Sequence, residues 1–145
     1  MDRNDVLAVI RDVFSSGGPR DRDGAVREIA DVLGYRRLGR HIREVLGDNL
    51  RTAVRRGILA NERGLLEMDC RAIDDYPRDL LVEYLLAAMG GVWCQRADAI
   101  TTTARYLGFR RTGKKIAAAL KSAINSAIRR GLLERGGPDL IRKLR

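Results

Sequence analysis

Seven side chains in one short stretch carry the chemistry of this sequence: Arg110, Arg111, Lys114, Lys115, Lys121, Ser122 and Asn125. They lie between Gly108 and Gly131, in GFRRTGKKIAAALKSAINSAIRRG. Guanidinium and ammonium groups neutralise phosphate, and arginine does so with paired, directional donors. An asparagine can read an adenine edge, and Lys114 or Lys115 a guanine. Ala117, Ala118 and Ser122 are small enough for a helix carrying them to approach a polyanion closely. The chemistry on offer is recognition of a phosphate backbone and its bases, not bond breaking.

Seventy-four residues earlier the chain repeats this pattern as Gly34 to Gly57, GYRRLGRHIREVLGDNLRTAVRRG. Arg36 and Arg37 match Arg110 and Arg111, and the matching helix face holds Arg40, His41, Arg43, Glu44, Gly47, Asp48 and Arg51. Glu44 and Asp48 oppose phosphate, so the second copy is expected to be the main contact and the first a weaker or auxiliary one. Arg135, in the last turn of the chain, joins Arg36, Arg37, Arg40, Arg43 and Arg51 as a further candidate DNA contact. A second set of Arg pairs, Arg55-Arg56 and Arg129-Arg130, precedes Gly57 and Gly131. Cations at a helix C-terminus offset the macrodipole by about 0.3–1 kcal/mol, and these pairs are expected to be mainly structural.

Other chemistries lack their residues. Cys70 and Cys94 are not spaced as a metal pair, and with His41 the only histidine no zinc site of the usual type follows. Both cysteines are expected to be free thiols, and His41 an exposed contact or bystander rather than a catalytic base. Pro138-Asp139 lacks the following acid-x-Lys that a nuclease uses to hold a metal, and there is no Ser-His-Asp or paired-carboxylate arrangement. No GxxxxGK[ST] loop is present. The expectation is a protein that is not an enzyme and has no cofactor and no metal.

The charge agrees with a polyanionic partner. The chain of 145 residues has a net charge of +9. Residues 1–74 hold 14 Arg and Lys against 13 Asp and Glu, whereas 75–145 hold 14 against 6, so nearly all the excess lies in the second half. Solubility alone does not require such segregation. No apolar run approaches the roughly 18 residues of a membrane span, and the polar N-terminus lacks a signal-peptide core. A cytoplasmic, nucleoid-associated location is expected.

The elements that position these residues follow from periodicity and punctuation. Helical spacing covers Asp5–Phe14, with Arg11 and Asp12 outward, then Gly24–Leu33, with Asp23 as N-cap, then Arg40–Arg56. Short apolar runs at 58–60 and 65–68 flank a polar turn and read as a hairpin. Asp69 to Pro77 is the expected linker between domains at 1–74 and 75–145. The pattern restarts with helices at 78–89, 96–107 and 114–130 and a hairpin of 132–134 with 140–141. An ungapped alignment of 5–71 on 79–145 gives 20 identities in 67 positions. Chance gives about four, at roughly one in sixteen, so duplication of one unit explains the match.

Three helices with a tight turn before the third, followed by a hairpin, predict a mainly α fold with short β hairpins, a tandem winged helix-turn-helix. Val92-Trp93-Cys94 is the expected short strand completing the second hairpin's sheet, with Trp93 a core or hinge residue rather than a platform for a base. The helix at Leu80–Met89 is apolar nearly all round, broken by Glu83, and is expected to be covered on two sides, by the first copy or by a second chain as a homodimer.

The second copy also resembles the small winged-helix domain of unknown function found near the C-terminus of large superfamily I helicases. The residues that carry the resemblance are Leu107-Gly108-Phe109-Arg110-Arg111-Thr112-Gly113, then Ile116, Ile124, Ala127 and Arg129-Arg130-Gly131-Leu132. The first copy matches more loosely, with Tyr35 and Leu38 where the second has Phe109 and Thr112. The resemblance implies a nucleic-acid-facing accessory fold without the motor. The expected function is double-stranded DNA binding, regulatory (transcription regulation) or architectural; the alternative is a protein-interaction adaptor.

Overall fold

Each copy of the repeat folds into the same succession of elements, and a computed structural model describes residues 1–144. The first copy gives α1 (Arg3–Phe14), β1 (Arg20–Asp21), α2 (Arg22–Val32), α3 (Arg40–Arg55), β2 (Leu59–Glu62) and β3 (Leu65–Met68). The second gives α4 (Arg78–Ala88), β4 (Cys94–Gln95), α5 (Arg96–Tyr106), α6 (Lys114–Arg129), β5 (Leu133–Gly136) and β6 (Leu140–Lys143). The molecule is thus rich in α-helix, with two small antiparallel sheets ordered β1-β3-β2 and β4-β6-β5. The chain divides into two compact units, Met1–Arg71 with Leu107–Arg110, and Ala72–Tyr106 with Arg111–Arg145.

The cores occupy equivalent positions. Leu46, Leu50, Ala53 and Leu59 are buried in the first unit, and Leu120, Ile124, Ala127 and Leu133 in the second. On α3 and α6 these residues recur at helical spacing, so one stripe of each helix faces inward and the other is left outward. Alternation does the same for the sheets: Leu66 and Ile141 are buried, and their neighbours point away.

Both long helices stop at a glycine. Gly57 and Gly131 have φ of 74° and 75°, and the amides around them close the same pair of bonds: Gly57 N to Val54 O and Ile58 N to Ala53 O, Gly131 N to Ile128 O and Leu132 N to Ala127 O. This is the Schellman arrangement, which satisfies the last helical carbonyls and needs a left-handed residue. Gly131→Ala is therefore expected to cost about 1–2 kcal/mol, although nothing stands within 4 Å of a Cβ built there. Urea unfolding of the two proteins checks this.

Several local expectations are corrected. The N-cap of α2 is Asp21, not Asp23: its carboxylate accepts from Gly24 N at 2.7 Å. Arg20–Asp21, between the two helices that periodicity predicts, pairs with Leu66 and Leu65 as a short strand. Its twin is Cys94–Gln95 rather than Val92–Cys94. The two copies also differ by one residue in the hairpin turn: Leu59 faces Met68, but Leu133 faces Lys143. Beyond the turn the structural offset is therefore 75 rather than 74, and Ile141, not Leu140, is the counterpart of Leu66. The stretch expected to be a linker is partly folded, with a 3-10 turn at Ile73–Asp75 packed against α6 and with Ile73 and Tyr76 buried.

The helix expected to need a partner is covered within its own unit. Leu81, Val82, Leu85 and Met89 are buried, Leu80, Tyr84 and Leu86 are half-buried, and α4 packs against α5 and α6. None of its large apolar side chains is left exposed, so the apolar surface invoked for a homodimer is already used.

Arg11, expected outward, is buried at 8% exposure. Its Nε donates to Leu107 O at 2.7 Å, its Nη1 to Cys70 O at 2.8 Å, and its guanidinium lies 4.0 Å from the centre of the Phe109 ring. Its partners, Cys70 and the segment Leu107–Arg110, belong to the same unit as α1.

Candidate nucleic-acid interface

The outward stripe of α6 follows from the inward one. With Leu120, Ala123, Ile124 and Ala127 buried, Lys114, Lys115, Ala118 and Lys121 are exposed and Ala117, Ser122 and Asn125 half-buried. Lys114, Ala118, Lys121 and Asn125 follow one another at three- and four-residue intervals and so lie along one line of the helix.

The electrostatics of the helix starts single out α3 and α6. An acid in the first turn stabilises a helix against its own positive N-terminus. α1, α2, α4 and α5 each have one, respectively Asp5, Asp23, Asp79 and Asp98. α3 and α6 have none, and neither Gly39 nor Gly113 supplies a capping side chain. In α6 the first turn instead holds Lys114 and Lys115, cations at the positive end. Such an arrangement lowers the stability of the free helix and favours an anion placed beside it, where unpaired amides and ammonium groups point the same way.

The two helices differ in what surrounds their cations. On α3, Arg40 lies 3.7 Å from Glu44, Arg51 pairs with Asp48, and Arg43 Nε donates to Leu38 O at 3.3 Å. On α6, Lys115 lies 3.8 Å from Asp74, with both side chains well exposed, and among the described residues Lys114 and Lys121 have no ion pair. An exposed pair of this kind contributes little and is easily exchanged for phosphate.

Some candidates are not placed as expected. Arg110 is paired with Asp12 at 2.7 Å, with both side chains exposed, so of the two arginines in the turn Arg110 must exchange a carboxylate for phosphate. Asn125 Oδ1 accepts from Arg96 Nη1 at 3.2 Å, leaving Nδ2 as its open group, so adenine reading through both amide atoms has to share that oxygen. Arg36 and Arg37 are exposed in the turn before α3, and Arg135 is exposed on β5. His41 is exposed as well. Of the second set of arginines, Arg55 donates to Thr52, Arg56 to Asn4, and Arg130 lies 3.6 Å from Asp79.

Comparison with protein-family models, with curated proteins and with solved structures returned no match.

Among the described residues no group of three His, Cys, Asp or Glu is placed to hold a metal ion, and no helix is long and apolar enough to cross a membrane. Cys70 and Cys94 are free thiols, the first buried and the second half-buried. Burial, and secondarily the charge of Asp98, raise the pKa of Cys94. The thiolate is the reactive form, so less of it is present at any given pH. Alkylation of Cys94 by iodoacetamide at neutral pH is expected to be slower than that of a free cysteine peptide and to catch up only as the pH rises. Peptide mapping after timed labelling measures this.

Of the two places expected for Trp93, core or hinge, the structure excludes the first. It is 39% exposed and Val92 beside it 73%, so it is not a core side chain. A signal was available: Pro19 stands at the matching position of the first copy, so the fold does not need an aromatic there.

Proposed function

We propose that this chain binds double-stranded DNA through two winged helix-turn-helix units, in a regulatory or architectural role, with the second unit as the main contact. The order helix, short strand, helix, helix, hairpin supports that fold assignment for each unit, with the short strand added to the hairpin's edge. In such a motif the third helix enters the major groove with its N-terminal residues foremost. Here that helix is α6, and the observation that carries the proposal is its exposed Lys114, Lys115 and Lys121, the first two set at a helix start with no acid of its own. The resemblance to an accessory domain of large helicases points to the same class of partner.

Binding of this kind is driven by counterion release and falls steeply with salt. A shift assay with random duplex, single strand and RNA at two salt concentrations tests it. Duplex retention at low salt that collapses at high salt is expected; no retention of duplex at low salt would sink the proposal.

A second role, as a protein-interaction adaptor, is favoured for the first unit by one observation. The cations of α3 are neutralised by Glu44 and Asp48 on their own helix, and beside it a cleft of about 320 Å³ is floored by Leu50, Val54 and Leu66 with Arg22 and Arg51 at its edge. Gly47 lines the same cleft where α6 carries Lys121, and a Cβ there would stand 2.0 Å from Arg22 Nη2. Gly47→Lys, which installs the residue of the other copy, is accordingly expected to displace Arg22 and fill the cleft. The group met is the far end of a flexible side chain, and the change removes a helix-interior glycine, so urea unfolding is expected to show a change within about 1 kcal/mol.

A further inference from the structure

Trp93 is accessible, and its ring is held in place. The Arg142 guanidinium lies 4.6 Å from the ring centre. Arg142 is fixed in turn by the Glu134 carboxylate, which accepts from Nε at 2.6 Å and also from Nη2. Glu134 and Arg142 face each other across β5 and β6. Two residues along β5, Gly136 lies against one face of the indole: a Cβ there would stand 2.7 Å from Trp93 Cζ3, 3.0 Å from Cη2 and 3.1 Å from Cε3. Glu134, Gly136 and Arg142 occupy one face of the sheet, opposite the buried Leu133 and Ile141.

This set exists in one copy only. The first unit has Pro19 for Trp93, Glu62 for Gly136 and Glu67 for Arg142, with the one-residue difference in the turn taken into account. Both units complete the same three-stranded sheet, so sheet formation does not call for the indole. The set appears in the copy that holds the excess of positive charge. One face of the ring lies on Gly136, and 39% of the residue stays open to solvent.

From this we infer that Trp93 is a stacking platform for an unpaired nucleobase: a single-stranded tail, flap or frayed end next to the duplex. The inference rests on the duplex-binding proposal above and adds a substrate feature to it. A prealigned aromatic loses little entropy on binding, and its face accepts any base. The interior bases of a closed duplex are stacked on one another and present no face, so only an unpaired or terminal base can use the platform. The near-neutral unit, with acids at two of the three matching positions, has no such platform.

Trp93 is the only tryptophan in the chain, so its emission reports on this site alone. The test uses the full chain and two fluorescein-labelled ligands: a duplex closed at both ends by hexaethylene-glycol linkers, which has no unpaired base, and the same duplex with one linker replaced by a short oligothymidine tail. Anisotropy reads binding, and unlabelled versions of both ligands are used to read tryptophan emission. Both ligands are expected to bind, with the tailed one binding more tightly and it alone quenching Trp93. Trp93→Ala is expected to keep closed-duplex affinity and lose the gain from the tail, roughly 5- to 150-fold. Trp93→Phe keeps most of that gain, and retained closed-duplex binding shows that the variants are folded. Unchanged emission at saturation with the tailed ligand, or a tail gain that survives in Trp93→Ala, overturns the platform and leaves duplex binding intact. If neither ligand raises the anisotropy, the duplex proposal fails and the platform with it.

Discussion

Replacing Lys114, Lys115 and Lys121 together by alanine is expected to weaken duplex binding roughly a hundredfold or more at about 0.1 M salt. Each lysine that meets a phosphate releases about 0.9 of a counterion, so the slope of log K against log salt should become shallower by roughly three. Fluorescence anisotropy titrations over a salt series measure both quantities. All three side chains are exposed on α6, so their removal leaves the packing of Leu120, Ile124 and Ala127 alone, and alanine is a good helix former. The free protein should even gain slightly in stability, because two cations leave the positive end of a helix with no acid in its first turn. Weaker binding together with an equal or higher unfolding midpoint separates a lost contact from a damaged fold. The matched triple substitution Arg40, Arg43 and Arg51 to alanine in α3 is expected to change affinity only a few-fold, because Glu44 and Asp48 already neutralise two of those arginines. Equal losses from the two triples would contradict the ranking of the units, and no loss from either would remove the case for DNA.

The largest effect on stability is expected from Arg11→Ala, about 3 kcal/mol by urea unfolding of the full chain. Arg11 donates to the carbonyls of Leu107, Cys70 and Arg71 from a buried position and lies against the Phe109 ring. Its removal leaves buried carbonyls without donors and opens a void beside Phe109, and each orphaned group costs about 1–3 kcal/mol. Arg11→Met fills the void and leaves the carbonyls orphaned, so it should recover only part of the loss. A change below about 1 kcal/mol for Arg11→Ala would mean that water replaces the guanidinium without penalty. By contrast Asp12→Asn, which breaks the exposed pair with Arg110, is expected to cost under about 1 kcal/mol.

These two side chains mark the limit of a periodic argument. Arg11 and Arg110 both lie where local spacing and turn chemistry leave a cation outward. Periodicity records which side of a helix is apolar, and an arginine gives no apolar signal. It is buried here because several backbone carbonyls from distant parts of the chain converge on it. Trp93 is the opposite case: aromatic bulk suggests a core, and exposure depends on the strand register that sets Gly136 and Arg142 beside the ring. Register also decides the counterpart of Leu66, which an ungapped alignment assigns to Leu140 and the sheet assigns to Ile141.

Local sequence determined the helices, their glycine stops, the duplicated order of elements and the outward lysines of α6, because each depends on side chains a turn or less apart. The tertiary structure decided which of the cations are left without partners. Among the described residues Lys114 and Lys121 have no ion pair, while Arg110 is paired across the fold with Asp12; Arg40 and Arg51, by contrast, meet Glu44 and Asp48 a turn away on their own helix. A charge is available to a ligand only if no nearer acid has taken it, and for Arg110 that acid, Asp12, lies 98 residues away in the chain.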